Sequence, residues 1–182
     1  MELNVLLKGC RKNNRQAQEA LYKQYKNMLF VQCLKYCPND SEAEDVLHDT
    51  FIEIFTSIHT FKGSGSFEGW IKRIAINKSI NQYKKKYALV AIKDDFEQEI
   101  TLDESELSYS LETLMKLVQD LPPQYRLVFS LYELDSYSHK EIASLLSISE
   151  STSKSNLHRA KLILKEKLKD KNKFPKNYVK NG

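Results

Sequence analysis

Apolar side chains recur at the spacing of an α-helix along almost the whole chain, and this periodicity restricts the fold more than any other feature. One such face consists of Leu47, Phe51, Ile54, Phe55 and Ile58. Intervals of three and four residues place these side chains on one side of a helix. The 182 residues include only 5 Gly and 4 Pro, too few for the many turns of an all-β fold. The pattern therefore predicts an all-α protein.

Composition divides the chain into two small helical domains. Residues 91–110 contain seven acidic residues and one Lys without a sustained helical stripe, so we interpret them as a flexible acidic linker. The predicted N-terminal domain is residues 1–90, and the predicted C-terminal domain is residues 111–170. Residues 171–182 are Lys-rich and polar, which predicts a basic, disordered tail.

The C-terminal part contains the pattern of a helix-turn-helix. Ser138 and Glu141 have the spacing of a capping box, which opens a short helix. Residues 147–150 form the predicted turn, and a longer basic helix follows. Its outer faces carry Lys154, Ser155, His158 and Arg159. Lys and Arg neutralise phosphates and Arg can bond guanine twice, so this helix favours DNA binding, although a solvated helical hairpin is the alternative.

A second basic helix is predicted from about residue 67 to residue 87. It follows a loop, residues 60–69, that holds three of the five glycines. Candidate DNA contacts on it are Phe67, Arg73, Asn77, Lys78, Asn81 and Lys84. Amide groups read base edges and aromatic rings stack on unpaired bases, which suits single-stranded or melting DNA. Packing in the core is the preferred interpretation for Trp70 and an equally weighted alternative for Phe67.

An acidic segment precedes the Gly-rich loop. No Lys or Arg occurs between Pro38 and Phe61. We predict one helix here, opened by a capping box from Ser41 to Glu44, with acidic residues on its outer sides. A solvated helix is the simpler interpretation. The functional alternative is a docking surface for a basic protein partner, formed by Asp45, Asp49 and Glu53.

Several classes of function lack a sequence signal. The sequence contains no Gly-rich phosphate loop and no nucleophile motif, so we expect no catalytic residues and no enzyme. Cys33 and Cys37 are one helical turn apart, but no further ligand follows at metal spacing; we expect no metal and no cofactor. No apolar run approaches the roughly 18 residues of a membrane span, and no signal peptide is recognisable, so the expected compartment is the cytoplasm.

These features in this order resemble the extracytoplasmic-function (group 4) sigma factors of bacterial RNA polymerase. The matching stretches are AEDVLHDTFIEIF (43–55), FKGSGSFEGWIKRIAINKSINQYKKK (61–86), LPPQYRLVFSLYEL (121–134) and SHKEIASLLSISESTSKSNLHRAKLILKEKL (138–168). The resemblance implies a sigma region 2 helical bundle and a sigma region 4 helix-turn-helix. The implied function is that of an alternative sigma factor that directs promoter-specific transcription initiation through the −10 and −35 elements.

The resemblance also implies partners. Core RNA polymerase would bind the acidic helix through its β′ clamp helices and the C-terminal domain through its β flap. In the promoter, Lys62 and Phe67 would embrace an extruded base of the −10 element, and Asn77 would contact the same strand. The −35 element would contact Lys154, Ser155, His158 and Arg159. An anti-sigma factor stays open as a further partner.

Two positions depart from the family's pattern. Ser147 stands where the turn often has Gly, and Ser153 stands where a β-branched apolar residue is common. The first bears on the geometry of the turn, and the second on the packing of the helix that follows.

Two other classes of protein compete with this interpretation. A free-standing helix-turn-helix regulator would explain residues 138–168, but not the acidic helix, Gly-rich loop and aromatic basic helix that precede them. A protein-interaction module such as an anti-sigma or adaptor protein would need no DNA contact. The 11 Lys and Arg residues after position 138 argue against it.

Overall fold

The computed structural model describes residues 2–87 and 110–173. Within these ranges the regular structure is helical and no strand is present, which confirms the all-α class. The described residues fall into two compact units, one before and one after the predicted linker. Most of that linker, and the predicted tail beyond Lys173, lie outside the described residues. No described helix is long and apolar enough to cross a membrane.

The N-terminal unit is a helical bundle. Its helices are α1 (Leu3–Arg11), α2 (Arg15–Leu34), α3 (Asp40–Ser57) and α4 (Phe67–Tyr87), with a 3-10 turn at Ile58–Thr60 before the loop that leads to α4. Helix α2 packs against each of the other three helices, and α3 packs against α4. Fully buried side chains such as Leu21, Leu29, Ile54 and Ile71 form the common core.

Helix α1 was not among the helices expected from the sequence. Its apolar residues Leu3, Leu6, Leu7 and Cys10 have helical spacing, and the last three are buried. The segment is only nine residues long, and a helix of that length depends on tertiary packing for its stability. Here it is held against α2, which supplies that packing.

The cap of α3 differs from the prediction. The helix begins at Asp40 rather than after Ser41, and the capping side chain is Asn39, whose Oδ1 accepts a hydrogen bond from the Glu42 backbone N–H at 2.9 Å. Helix α2 ends at Leu34, and the backbone is extended at Asn39, with φ −158° and ψ 170°. Asn39 thereby takes the cap position before Ser41 is reached.

The three cysteines lie in the core as free thiols. Burial, reinforced by the neighbouring Cys37, raises the pKa of Cys33 to about 12. Thiols with a raised pKa stay protonated and are poor nucleophiles and metal ligands. Among the described residues, no group of three His, Cys, Asp or Glu side chains is placed to hold a metal ion.

The C-terminal unit contains α5 (Leu111–Gln119), α6 (Pro123–Phe129), a π-helical turn (Ser130–Leu134), α7 (His139–Leu146) and α8 (Glu150–Lys173). Pro123 is the first residue of α6, where its missing N–H costs nothing. Both α6 and α7 pack on α8. The largest fully buried side chains are Leu121, Leu127, Val128, Leu131 and Ile142.

The helix-turn-helix is confirmed in its local details. Ser138 and Glu141 form the predicted capping box, in which the Ser138 N–H donates to the Glu141 carboxylate at 2.8 Å. Ser147 ends α7 in the left-handed conformation, with φ 58° and ψ 45°. Ser149 then caps α8, and its Oγ accepts from the Thr152 N–H at 3.0 Å. The turn therefore has its usual geometry although a serine occupies the left-handed position.

We predict that Ser147→Gly stabilises the C-terminal unit by about 0.5–1 kcal/mol, because Gly adopts positive φ without the steric cost that a Cβ brings. Ser147→Val should destabilise the unit by at least as much, since a β-branched side chain tolerates this conformation least. Hydrogen exchange of the Leu127 and Val128 amides in the full chain measures both effects. Unchanged protection in both variants would contradict the argument.

Candidate nucleic-acid interface

The loop between the 3-10 turn and α4 forms the wall of a surface pocket. This pocket has a volume of about 370 Å³, and its lining includes Phe61, Lys62, Ser66, Trp70 and Arg73. Such a volume lies near the lower end of the range for small-ligand sites. We call it the loop pocket. It combines an aromatic ring, two cations and hydroxyl groups, which together can hold a flat, polar ring attached to an anion.

Two glycines give the loop its shape. Gly63 has φ +80° and Gly65 has φ +98°, a region in which other residues are strained. A Cβ added at either position would meet no atom within 4 Å. The loop therefore needs glycine for its backbone conformation and not for space.

Phe67 is in the core and not on the surface of the loop. Its side chain is 3% exposed, and its ring lies 5.5 Å from that of Tyr25, 5.2 Å from that of Phe61 and 5.7 Å from that of Trp70, measured between centroids. Trp70 is half-buried and lines the loop pocket. The structure thus places the accessible aromatic ring one turn later than Phe67, the residue selected from the sequence.

The remaining candidates on α4 form one surface. Arg73, Asn77, Asn81 and Lys84 are all exposed, and so is Lys62 in the loop before the helix. From Trp70 onward, the intervals to Arg73, Asn77, Asn81 and Lys84 are three or four residues, so these side chains continue along one face of the helix. This face starts at the loop pocket and runs for four turns.

Lys78 lies beside that face, and it pairs with an acidic residue of α3. Its Nζ is 2.9 Å from Glu53 Oε2, with side-chain exposures of 30% and 44%. A second pair joins the last turn of α4 to the first turn of α3: Lys86 Nζ is 2.7 Å from Glu42 Oε1. Sequence reasoning assigned Glu53 and Lys78 to two different partners, whereas the folded chain brings them together.

The outer face of α3 combines acidic and apolar side chains. Asp45 and Asp49 are exposed and one turn apart, as expected from the sequence. Ile52 is 51% exposed and follows Asp49 by three residues, so it lies on the same face. Sequence reasoning missed Ile52, although an isoleucine outside the apolar stripe of a helix is itself a signal.

The predicted DNA-contacting residues of α8 differ in accessibility. Lys154, Ser155 and His158 are exposed on the first half of the helix. Arg159 is half-buried, and its Nη1 lies 3.4 Å from the hydroxyl oxygen of Tyr125 on α6. Leu157 and Ala160 are buried, as the helical pattern predicts.

The buried Ser153 on α8 makes a polar contact with α7. It is 0% exposed, and its Oγ lies 2.9 Å from His139 Nδ1. The His139 ring stacks on Tyr132, with a centroid distance of 4.4 Å and an interplanar angle of 21°. The hydroxyl that replaces an apolar group therefore has a hydrogen-bond partner. Burial first, and then the charge of Lys154, lower the pKa of His139.

Comparisons with known proteins identify both units. The family model "Sigma-70 region 2" matches residues 21–88, and "Sigma-70, region 4" matches residues 111–164. The ECF RNA polymerase sigma factor SigW of Bacillus subtilis (strain 168) is 28% identical over 187 residues, covering 93% of this chain and 98% of its own. The RNA polymerase sigma factor YlaC of the same organism is 32% identical over 162 residues, covering 85% and 94%.

A solved structure is also similar. The sigma factor RpoE, in its co-crystal structure with the anti-sigma factor NepR from Bartonella quintana, matches with a TM-score of 0.52 and 21% identity. The match covers 83% of this chain and 96% of that chain. At this identity the likeness is one of fold.

We predict that the pKa of His139 in the folded chain lies below its usual value of 6.5 and rises toward it in Lys154→Gln. A lowered folded pKa means that the unfolded chain binds the proton more readily. The stability that the neutral ring provides is therefore present above pH 6.5 and lost as the pH falls through the lower folded pKa. An NMR titration of the ring protons measures the midpoint. Lys154→Arg, which keeps the charge, is the control, and a wild-type midpoint at or above the usual value would contradict the prediction.

Proposed function

The chain belongs to the extracytoplasmic-function RNA polymerase sigma factors and is an alternative sigma factor directing promoter-specific transcription; we propose which of its surfaces read the promoter and which bind the polymerase. The observation that carries the proposal is the loop pocket, with Trp70 accessible in it and a polar, basic face leading away along α4. Residues 21–88, which match sigma region 2, include both features.

In this proposal an unpaired base of the −10 element enters the loop pocket and stacks on Trp70. Lys62 and Arg73 neutralise the phosphates beside that base, and Asn77, Asn81 and Lys84 follow the same strand along α4. Phe67 holds the loop in place from the core. Lys78 would have to exchange Glu53 for a phosphate, so we expect it to contribute less than Arg73 does.

Polymerase docking is assigned to the outer face of α3. Asp45 and Asp49 would face basic residues of the β′ clamp helices, and Ile52 would add an apolar contact beside them. Glu53 is engaged by Lys78, so its share in docking is expected to be smaller. In the C-terminal unit, the exposed Leu111 and Leu114 of α5 offer an apolar surface for the β flap.

The −35 element is assigned to the first half of α8. Lys154, Ser155 and His158 would face the major groove, and Arg159 would reach it from its contact with Tyr125. The chain would recognise the promoter and would have no catalytic site of its own, because the polymerase catalyses RNA synthesis. It would act in the cytoplasm, and the resemblance leaves open an anti-sigma factor as a further partner.

The proposal predicts that the purified chain binds bacterial core RNA polymerase and initiates run-off transcription from a promoter that it recognises. Asp49→Lys should weaken core binding with the fold intact, since it reverses a charge at the centre of the docking face. Glu19→Lys, on α2, is the matched control. Tight binding to intact duplex without core polymerase would instead indicate a free-standing regulator.

We further predict that Trp70→Ala slows promoter opening by about tenfold or more, because the loss of one base–aromatic stack costs about 1–3 kcal/mol. Trp70→Phe keeps a ring and should retain most of the rate. Permanganate footprinting of unpaired thymines measures opening. Core binding and −35 duplex binding should be unaffected, and normal opening by Trp70→Ala would refute the stacking role.

A further inference from the structure

A hydrogen bond joins the first helix of the chain to the loop pocket. Arg11, the last residue of α1, donates from Nη2 to the backbone carbonyl of Phe61 at 2.7 Å. Phe61 is the first residue of the loop and lines the pocket. The two residues are 50 positions apart in the sequence. Arg11 also lies before residue 21, where the match to sigma region 2 begins.

The corner between α1 and α2 gives Arg11 a fixed position. A Cβ on Gly9 would lie 2.5 Å from the Ala17 Cβ, so glycine is required for the two helices to approach this closely. Asn13 turns the chain with φ 56°, and the Asn14 side chain caps α2 by accepting from the Ala17 N–H at 3.0 Å. The guanidinium is therefore presented to the loop by a tightly packed corner.

The bond acts at the point where the loop begins. The 3-10 turn ends at Thr60, and Phe61 lies two residues before Gly63, the first of the two loop glycines with positive φ. From the inside, the Phe61 ring packs 5.2 Å from that of Phe67 and 5.5 Å from that of Trp70. From the outside, Arg11 holds the Phe61 carbonyl. A hydrogen bond from a charged donor is about twice as strong as a neutral one.

We propose that Arg11 is a positioning residue for the loop pocket: by holding the Phe61 backbone it keeps the pocket and Trp70 in the geometry that accepts an unpaired base. The inference rests on the proposed function of the pocket. It makes α1 a functional part of the −10 reading unit, although Arg11 itself touches no base.

Two other roles for Arg11 are distinguishable from this one. A direct contact with a DNA phosphate would add affinity for any strand, with or without bases, and would steepen the salt dependence of binding by about 0.7 per contact. A role in folding alone would leave the binding of a folded variant unchanged. A positioning role affects only the part of the affinity that comes from the bases.

The test uses the full chain and its only tryptophan, Trp70, as the reporter. Oligodeoxynucleotides of about 12 nucleotides, each all-thymine, all-adenine or all-cytosine, are titrated while the quenching of Trp70 fluorescence is followed. A chain of abasic nucleotides of the same length, titrated in competition with the best-bound oligonucleotide, measures the contribution of the backbone alone. The variants are Arg11→Gln and Arg11→Lys, and Lys12→Gln is the control that removes the adjacent exposed charge.

We expect Arg11→Gln to weaken binding of the best-bound oligonucleotide about tenfold, the magnitude typical of losing a hydrogen bond to a charged group. Binding of the abasic chain and the salt dependence should stay unchanged. Arg11→Lys, which retains a charged donor, should recover part of the loss, and Lys12→Gln should show at most a small loss that is the same for all strands.

An equal loss on the base-bearing and abasic strands would overturn the inference in favour of a phosphate contact. No loss on either strand would overturn it in favour of a role in folding alone. Failure of the proposed function has a different signature, which appears in the unsubstituted protein: the base-bearing and abasic strands would bind equally, or Trp70 would not respond.

Discussion

The aromatic contacts of Tyr25, Phe61, Phe67 and Trp70 are the interaction on which the geometry of the loop pocket depends. They connect α2, the start of the loop and the start of α4, with ring centroids 5.2 to 5.7 Å apart. Edge-on and tilted pairs at these distances stabilise one mutual orientation beyond the burial of their area. A loop with two glycines in positive φ would otherwise have many conformations of similar energy. These contacts anchor the two ends of the loop, and the two glycines set the backbone conformation between them.

The acidic and basic segments of the sequence become neighbouring helices in the fold. The acidic segment becomes α3 and the basic segment becomes α4, and these helices pack side by side. The pairs Glu53–Lys78 and Glu42–Lys86 join them, each partly exposed and so worth little on its own. These two pairs engage the charged side chains at the contact between α3 and α4. The charged side chains on the outer faces of the two helices are not part of these pairs. Asp45 and Asp49 remain on one side, and Arg73 and Lys84 on the other.

The sequence predicted the features that depend on local chemistry and periodicity. The apolar stripes of α3 and α8, the capping box at Ser138 and the Gly-rich loop are read from neighbouring residues. The errors arose where two neighbouring residues compete for the same cap position, or where residues distant in the sequence determine which side chain is buried. Asn39 precedes Ser41 and takes its cap position. Phe67 is buried and Trp70 is half-buried because of the side chains that surround each of them in the fold. The bond from Arg11 to Phe61 has no sequence signal, because it depends on how closely Gly9 allows α1 to approach α2.

The two serines that depart from the family's pattern show how a helix-turn-helix keeps its geometry with different chemistry. At Ser147 the backbone takes the left-handed conformation in spite of its Cβ, so the packing of α7 and α8 outweighs a local strain on the order of 1 kcal/mol. At Ser153 a buried hydroxyl is bonded to His139, whose ring is held by Tyr132. An apolar side chain would contribute packing alone at this position, whereas a buried polar pair also loses its hydrogen bond if α8 rotates. Since Lys154 directly follows Ser153, this contact helps to fix the direction in which the exposed side of α8 at Lys154 points.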